Sequence, residues 1–153
     1  MRIRKAGHTD IITCANIKMA SEGTVHSEKD KILNQKYLKK YLDDEYSTIL
    51  VAEDKKEAIG YVVFSYDEWN NSVYINFIFV RPDKQKHGVG TKLLDAVVSR
   101  AEKRGARIIF LKTGKTKNNA IRFYKKNSFL VAGYIKDMYR GVPGNALVLS
   151  RKL

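Results

Sequence analysis

Two glycines flanking a single residue sit in the most informative stretch of this chain, Gln85-Lys86-His87-Gly88-Val89-Gly90-Thr91. Without a Cβ, Gly88 and Gly90 let the backbone come close to a ligand. Val89, Leu93, Leu94, Val97, Val98 and Ala101 then recur at the spacing of one apolar helix face. A helix that begins in this turn would point the unpaired amides of its first turn outward, and phosphate oxygens are what such amides hold best. The stretch therefore reads as an anion cradle. It is neither a Walker A loop, since no Gly-Lys-Ser/Thr follows, nor a dinucleotide-binding Gly-x-Gly-x-x-Gly.

The elements around the cradle follow from pattern. Residues 72–80 are apolar except for Ser72 and Asn76, which predicts a central strand buried on both faces and ended by Pro82. The cradle helix stops at Gly105, behind Lys103 and Arg104. A strand over 107–113 should then lie parallel to the central strand through a right-handed crossover. Ala120, Ile121, Phe123 and Tyr124 fit a short helix. Residues 130–138 and 146–151 read as the last strands, joined by a loop with Tyr139, Gly141, Pro143 and Gly144. Before the cradle, residues 2–6 suit a short strand, and Thr9 is the candidate cap of a helix carrying Ile11, Ile12, Ala15 and Met19. Residues 21–26 read as a loop. Ser27 would cap a second helix with Leu33, Tyr37, Leu38, Tyr41 and Leu42 on one face. Residues 47–53 and 58–66 form a hairpin around Asp54-Lys55-Lys56-Glu57. The expectation is a mixed α/β single domain over residues 1–153, with a central sheet of about seven strands flanked by about four helices.

At 153 residues, with 44% hydrophobic and 10% aromatic residues, the chain can bury a real core. No apolar run approaches the ~18 residues of a membrane span, and no signal-peptide core follows Arg2, Arg4 and Lys5, so the expected location is cytoplasmic and no membrane partner is expected. Cys14 has no second cysteine to pair with, and reads as a buried small hydrophobe. Lys and Arg number 29 against 16 Asp and Glu, a formal charge of +13 that attracts polyanions. A nucleic-acid-binding module is one reading of that charge. Against it stand the lack of an RNP-like aromatic strand and of a basic recognition helix free of core residues. No zinc-ligand spacing is present, and no metal is expected. A homodimer stays open.

Val80-Arg81-Pro82 followed by Gln85-x-x-Gly88-x-Gly90-x-x-Leu93-Leu94 resembles the acetyl-CoA-binding motif of the GNAT superfamily of N-acetyltransferases. Asn119-Ala120-Ile121-Arg122-Phe123-Tyr124 and the residues to Phe129 resemble that family's second motif, in the right order and at a fitting distance. The resemblance implies an acetyl-CoA-dependent enzyme acting on a primary amine, a peptide N-terminal α-amine or a small-molecule amine, by direct attack in a ternary complex. It implies that the central strand splays from its parallel neighbour, that the backbone of Ile78, Phe79 and Val80 pairs with the pantetheine arm, and that Gln85, Lys86, His87, Gly88, Val89, Gly90 and Thr91 take the diphosphate, with Asn119 also at the cofactor. It makes Tyr124 the acid that protonates the departing thiolate, a role open to a phenol because it is a neutral donor at pH 7. The first helix pair would form one wall of the acceptor site, near His26 and Glu22.

The chain departs from the family where a general base is often found. The central-strand carboxylate position is Asn76, and that on the strand after the cradle helix is Lys112. Asp137, Glu68 or a water chain are the candidate substitutes. An amine of pKa ~10.4 is neutral in about one molecule per thousand near pH 7.4, a cost of ~4 kcal/mol, whereas an α-amine of pKa ~7.8 costs under ~1 kcal/mol. A base-poor site suits weakly basic amines. The alternative is a GNAT-fold module that binds CoA or nucleic acid without catalysis.

Overall fold

The computed structural model describes all residues except Thr24, Val142 and Pro143, so the expected loop proline Pro143 lies outside the described residues. Its elements are β1 (Arg2–Lys5), α1 (Ile11–Glu22), α2 (Glu28–Asp43), β2 (Ser47–Asp54), β3 (Glu57–Asp67), β4 (Ser72–Val80), α3 (Val89–Lys103), β5 (Ile108–Gly114), α4 (Asn118–Lys126), β6 (Leu130–Ile135) and β7 (Ala146–Lys152), with short 3-10 turns at His8–Asp10 and Pro82–Lys84. The seven strands make one sheet in the order β1-β2-β3-β4-β5-β7-β6. Among the described residues only β4 and β5 pair in parallel, as the crossover through α3 requires.

Alternation along β2 and β3 divides the core in two. Leu50, Ala52, Val62 and Phe64 face α3 and α4, where Leu93, Leu94, Val97 and Tyr124 meet them. Ile49, Val51, Tyr61 and Val63 face Cys14, Ala15, Ile17 and Leu38 of α1 and α2. Cys14 is buried there, and burial pushes its thiol up to about 12, which fits a packing role.

Several local expectations are corrected. Thr9 is not the cap of α1; Asp10 is its N-cap, and the Asp10 carboxylate accepts the Gly7 N–H (2.8 Å) and two bonds from Arg4 (2.8 and 2.9 Å). Ser21 and Glu22 are helical, because α1 runs on until Gly23 turns left-handed at φ +66°. Ser27 does cap α2. Of the face predicted for α2, only Leu38 is fully buried, and Leu33 and Tyr37 stand about half exposed over a pocket. β6 stops at Ile135, before Asp137 takes φ +53°.

The largest correction concerns β4. Burial on both faces holds for its first half, but residues 76–80 are only half-buried. The reason is topological. Pairing to β5 covers Ser72↔Ile108, Val73↔Ile109 and Tyr74↔Phe110 and then ends, while β5 continues along β7 as far as Gly114↔Ala146. On its other edge β4 slips register against β3 between Val63↔Phe77 and Phe64↔Ile75, leaving Asn76 as the extra residue of a bulge. The bulge bends β4 just where it leaves β5, and a cleft opens between the two strands.

Candidate active site

The cradle sits where β4 hands the chain to α3. Gly88, the N-cap of α3, has φ +79°, a conformation that favours glycine, and no side chain caps the helix. The first-turn amides of Val89, Gly90 and Thr91 lie beyond the reach of the i−4 ladder. The Val89 side chain is buried in the core, so this residue offers a ligand only its amide. Gly90 has a packing role beside the one expected of it: a Cβ there would lie 3.2 Å from two ring carbons of Phe123, so the ring would have to give way where α4 packs on α3. The Gln85 amide braces the end of β4 by donating to Val80 O (3.1 Å), a carbonyl that Ser21 Oγ also reaches (2.9 Å). Lys86, His87 and Lys92 are exposed around the turn and surround it with basic groups. Asn119, in the first turn of α4, accepts from Arg122 Nη2 (2.6 Å).

Ile78, Phe79 and Val80 pair with Val62, Tyr61 and Gly60 on the β3 side, and beyond Tyr74 no β5 pairing occupies their other edge. Ile78 and Val80 pack toward α3, and Phe79 packs in the opposite layer against Tyr61, ring centroids 5.8 Å apart.

Phenols gather where the strands part. Tyr124 is 6% exposed, its ring against Phe123 (5.1 Å) and Phe129 (5.6 Å). Burial raises its pKa, with the Tyr74 phenol adding, so it stays a neutral donor. Tyr74 is raised by burial and then by Tyr139 and Tyr41. Lys112 lies with its ammonium 5.4 Å from the Tyr74 ring centre, on the face that carries α1 and α2. Tyr41 and Tyr74 escaped the sequence reading because each looked like one more aromatic on an apolar face.

Asn76 anchors a polar chain at the bulge. Ser65 Oγ donates to Asn76 Oδ1 (2.8 Å), Asn76 Nδ2 donates to Tyr41 Oη (3.4 Å), Ser47 Oγ and Ser65 Oγ are 2.9 Å apart, and Ser47 Oγ donates to Asp44. Proton counting forces one change. Ser47 spends its only proton on Asp44, so Ser65 must supply the bond between the serines and has none left for Asn76. Turning the Asn76 amide over closes the chain: Tyr41 donates to the amide oxygen, the amide to Ser65, Ser65 to Ser47 and Ser47 to Asp44. Tyr41 is then left with its oxygen lone pairs for an incoming N–H.

The other candidate carboxylates lie elsewhere. Glu68 pairs with Arg104 at the turn before β4, at the opposite end of that strand from the cradle. Glu22 pairs with Lys18 (2.7 Å) and faces His26 (3.5 Å). The backbone amide of Asp137 donates to Asn145 Oδ1 (3.0 Å) in the loop between β6 and β7. Among the described residues no group of three or more His, Cys, Asp or Glu is placed to hold a metal ion, and no helix is long and apolar enough to cross a membrane.

Comparison with known proteins meets this geometry. Residues 13–129 match the model of the acetyltransferase (GNAT) family. An uncharacterized N-acetyltransferase of Methanocaldococcus jannaschii is 32% identical over 111 residues, 69% of this chain and 49% of that relative, so the chain spans about half its length. The crystal structure of a ribosomal-protein-alanine N-acetyltransferase from Brucella melitensis shares the fold over 100% of both chains, with TM-score 0.81 and 19% identity. A putative streptothricin acetyltransferase from Bacillus anthracis, solved in complex with acetyl coenzyme A, matches 75% of this chain and 67% of its own, with TM-score 0.67 and 25% identity. With the glycine turn and the parted strands beside a buried tyrosine, these matches identify the chain as a member of the GNAT family of acetyltransferases.

Proposed function

We propose that this chain transfers the acetyl group of acetyl-CoA to a primary amine of low basicity, a peptide N-terminal α-amine or a small-molecule amine. The observation that carries the proposal is the cleft after Tyr74, with the glycine turn at one end and the buried Tyr124 phenol among the residues around it. Bound in such a cleft, acetyl-CoA supplies the activated thioester. The amides of Gly88, Val89, Gly90 and Thr91, aided by the α3 dipole and by Lys86 and Lys92, receive the diphosphate. The free edge of Ile78, Phe79 and Val80 holds the arm in line, and an amide there donates to the carbonyl oxygen as charge grows on it. Tyr41 accepts a hydrogen bond from the amine, whose surplus proton passes to water in the open cleft as the C–N bond forms and the C–S bond breaks, while Tyr124 gives its proton to the departing sulfur and regains one from solvent. Asn76 and Lys112 add no base and no negative field, which favours an amine already largely neutral at the working pH.

A CoA-release screen with acetyl-CoA over short peptides, amino-acid amides, aminoglycosides and polyamines tests this reading. Turnover should concentrate on α-amines. Turnover confined to polyamines would overturn it.

A further inference from the structure

The two edges of the sheet are finished differently. At one, β1 is four residues long and carries Arg2, Arg4 and Lys5, charges of the kind that keep an open strand edge from pairing with another chain. At the other, β6 runs Leu-Val-Ala-Gly-Tyr-Ile without a charge. Among the described residues β6 pairs with β7 alone, so the backbone on its far side is open. Its side chains are open as well: Leu130 is 73% exposed, Val131 50%, Tyr134 48% and Ile135 38%. Large apolar groups in one strip along an unpaired edge mark a place where another chain docks. The slip against β7 that leaves Ala132 extra divides the edge, so the straight run on offer is short, residues 133–135, with Leu130 and Val131 beyond the bend.

Charge around this edge says what that chain is. Residues 103–153 hold 13 of the 29 Lys and Arg but only one of the 16 Asp and Glu, Asp137, so they carry +12 of the formal charge of +13. They form β5, α4, β6 and β7, the end of the sheet that β6 closes. Lys125 and Lys126 end α4 just before β6, Lys136 follows β6, Lys152 lies on β7, and the Lys115 ammonium is 5.1 Å from the Tyr134 ring centre. All five are exposed, and among the described residues none is ion-paired. A second copy of this chain would bring two such regions together and be repelled. A nucleic acid would satisfy the lysines but leave the aliphatic side chains and the row of backbone N–H and C=O groups unmet. An extended acidic segment meets all three at once: its backbone continues the sheet, its apolar side chains cover those of β6, and its carboxylates face the lysines.

We propose that β6 is a docking edge for an acidic partner protein, which adds to the sheet a short strand of apolar residues flanked on both sides by Asp or Glu. β7 separates this edge from the cleft between β4 and β5, so a strand added to it does not enter the cleft. The surface therefore recruits a partner rather than selecting the amine, and it stands apart from the acyl-transfer reading above. Opposite charge speeds the encounter, and strand pairing fixes the register.

The probe is a fluorescent, N-acetylated peptide of alternating Val and Thr with a pair of Glu at each end; its blocked amine keeps it from acting as an acceptor. Anisotropy titration of the intact protein should show saturable binding, at least ~30-fold tighter than for the same peptide with Lys at its ends, and weaker as salt rises from about 50 to about 300 mM. Hydrogen exchange should slow at the amides of residues 130–135. Lys125→Glu with Lys126→Glu, a change confined to exposed side chains, should weaken binding at least ~10-fold. Val131→Thr with Ile135→Thr, which keeps β-branched side chains on the strand, should weaken it at least ~5-fold with Tm near that of the parent. No saturable binding below ~1 mM, binding indifferent to either pair of substitutions, or protection elsewhere on the protein overturns the proposal. Oligouridylate that binds more tightly than the Glu-ended peptide, and loses affinity with Lys125→Glu and Lys126→Glu, overturns it in favour of nucleic acid. Sedimentation that shows the protein alone as a dimer, undone by Val131→Thr with Ile135→Thr, overturns it in favour of a second copy.

Discussion

Gly90 and Phe123 touch across the seam between α3 and α4, so that a Cβ on Gly90 would lie 3.2 Å from both Cε2 and Cζ of the ring. The two sequence motifs are therefore one packed unit: the turn that opens α3 is held in place by the helix that carries Tyr124. Any substitution at Gly90 acts on both.

Gly90→Val should accordingly weaken acetyl-CoA binding and lower stability together, by about 1–3 kcal/mol for the latter, because a branched side chain must displace the Phe123 ring. Pairing the milder Gly90→Ala with Phe123→Leu makes room and should return part of the lost Tm. If the amides of this turn hold the diphosphate, calorimetry will still show affinity for acetyl-CoA well below that of a Lys56→Ala control. Affinity that recovers in step with Tm would assign Gly90 to packing alone.

Tyr124→Phe keeps the ring contacts with Phe123 and Phe129 and removes only the proton. With the donor gone, kcat should fall by roughly 10² or more, while Tm and acetyl-CoA affinity change little. A kcat equal to that of the parent in single-turnover measurements would leave Tyr124 as a core aromatic.

What was legible in the sequence was local. Gly88, the Ser27 cap and the apolar faces of α3 and β4 each declare themselves within a few residues, because capping, turn conformation and periodicity are set by near neighbours. What was not legible depends on where other strands end. The half-exposure of residues 76–80 follows from β5 turning to β7, and the bulge at Asn76 from a slip against β3. The hydrogen-bonded chain from Asp44 to Tyr41 joins three separate parts of the chain, and no spacing rule brings them together. Gly90 was legible as a glycine that mattered, but its neighbour Phe123 was not.

The N-terminal Arg4–Asp10 pair gives the fold a predictable acid sensitivity. Arg4, bound through both Nη atoms, holds the Asp10 carboxyl below its ordinary range, and the Gly7 amide adds to this. A depressed pKa contributes stability that is present above the ordinary carboxylate range, about 3.9, and is lost as pH falls through the folded value. Asp10→Asn should therefore lower Tm clearly at pH 7, by an amount corresponding to about 1–3 kcal/mol, and the gap to the parent should begin to narrow as pH falls below about 3.9 and go on narrowing toward the folded value. A gap that stays constant over that range would mean that Asp10 acts through its shape and not through its charge.

Acceptor choice should also follow proton availability, because Asn76 stands at the bulge without a carboxylate and Lys112 places a cation over Tyr74. At pH 7.5 the neutral fraction of an α-amine exceeds that of a strongly basic polyamine by ~300-fold, and at pH 9.5 by only ~10-fold. The kcat/KM advantage of an α-amine peptide over spermidine should thus shrink by roughly 30-fold across that interval. Tyr124 will not confuse the profile, since burial keeps its proton in place as pH rises. Asn76→Asp supplies the missing carboxylate within reach of the Ser65 and Tyr41 hydroxyls, and should raise spermidine turnover at pH 7.5 by about 10-fold or more while changing the peptide rate little. A parent enzyme that prefers spermidine at every pH, with no gain from Asn76→Asp, would show that another carboxylate reaches the amine, and Glu22, paired with Lys18 at the end of α1, would be the first to replace.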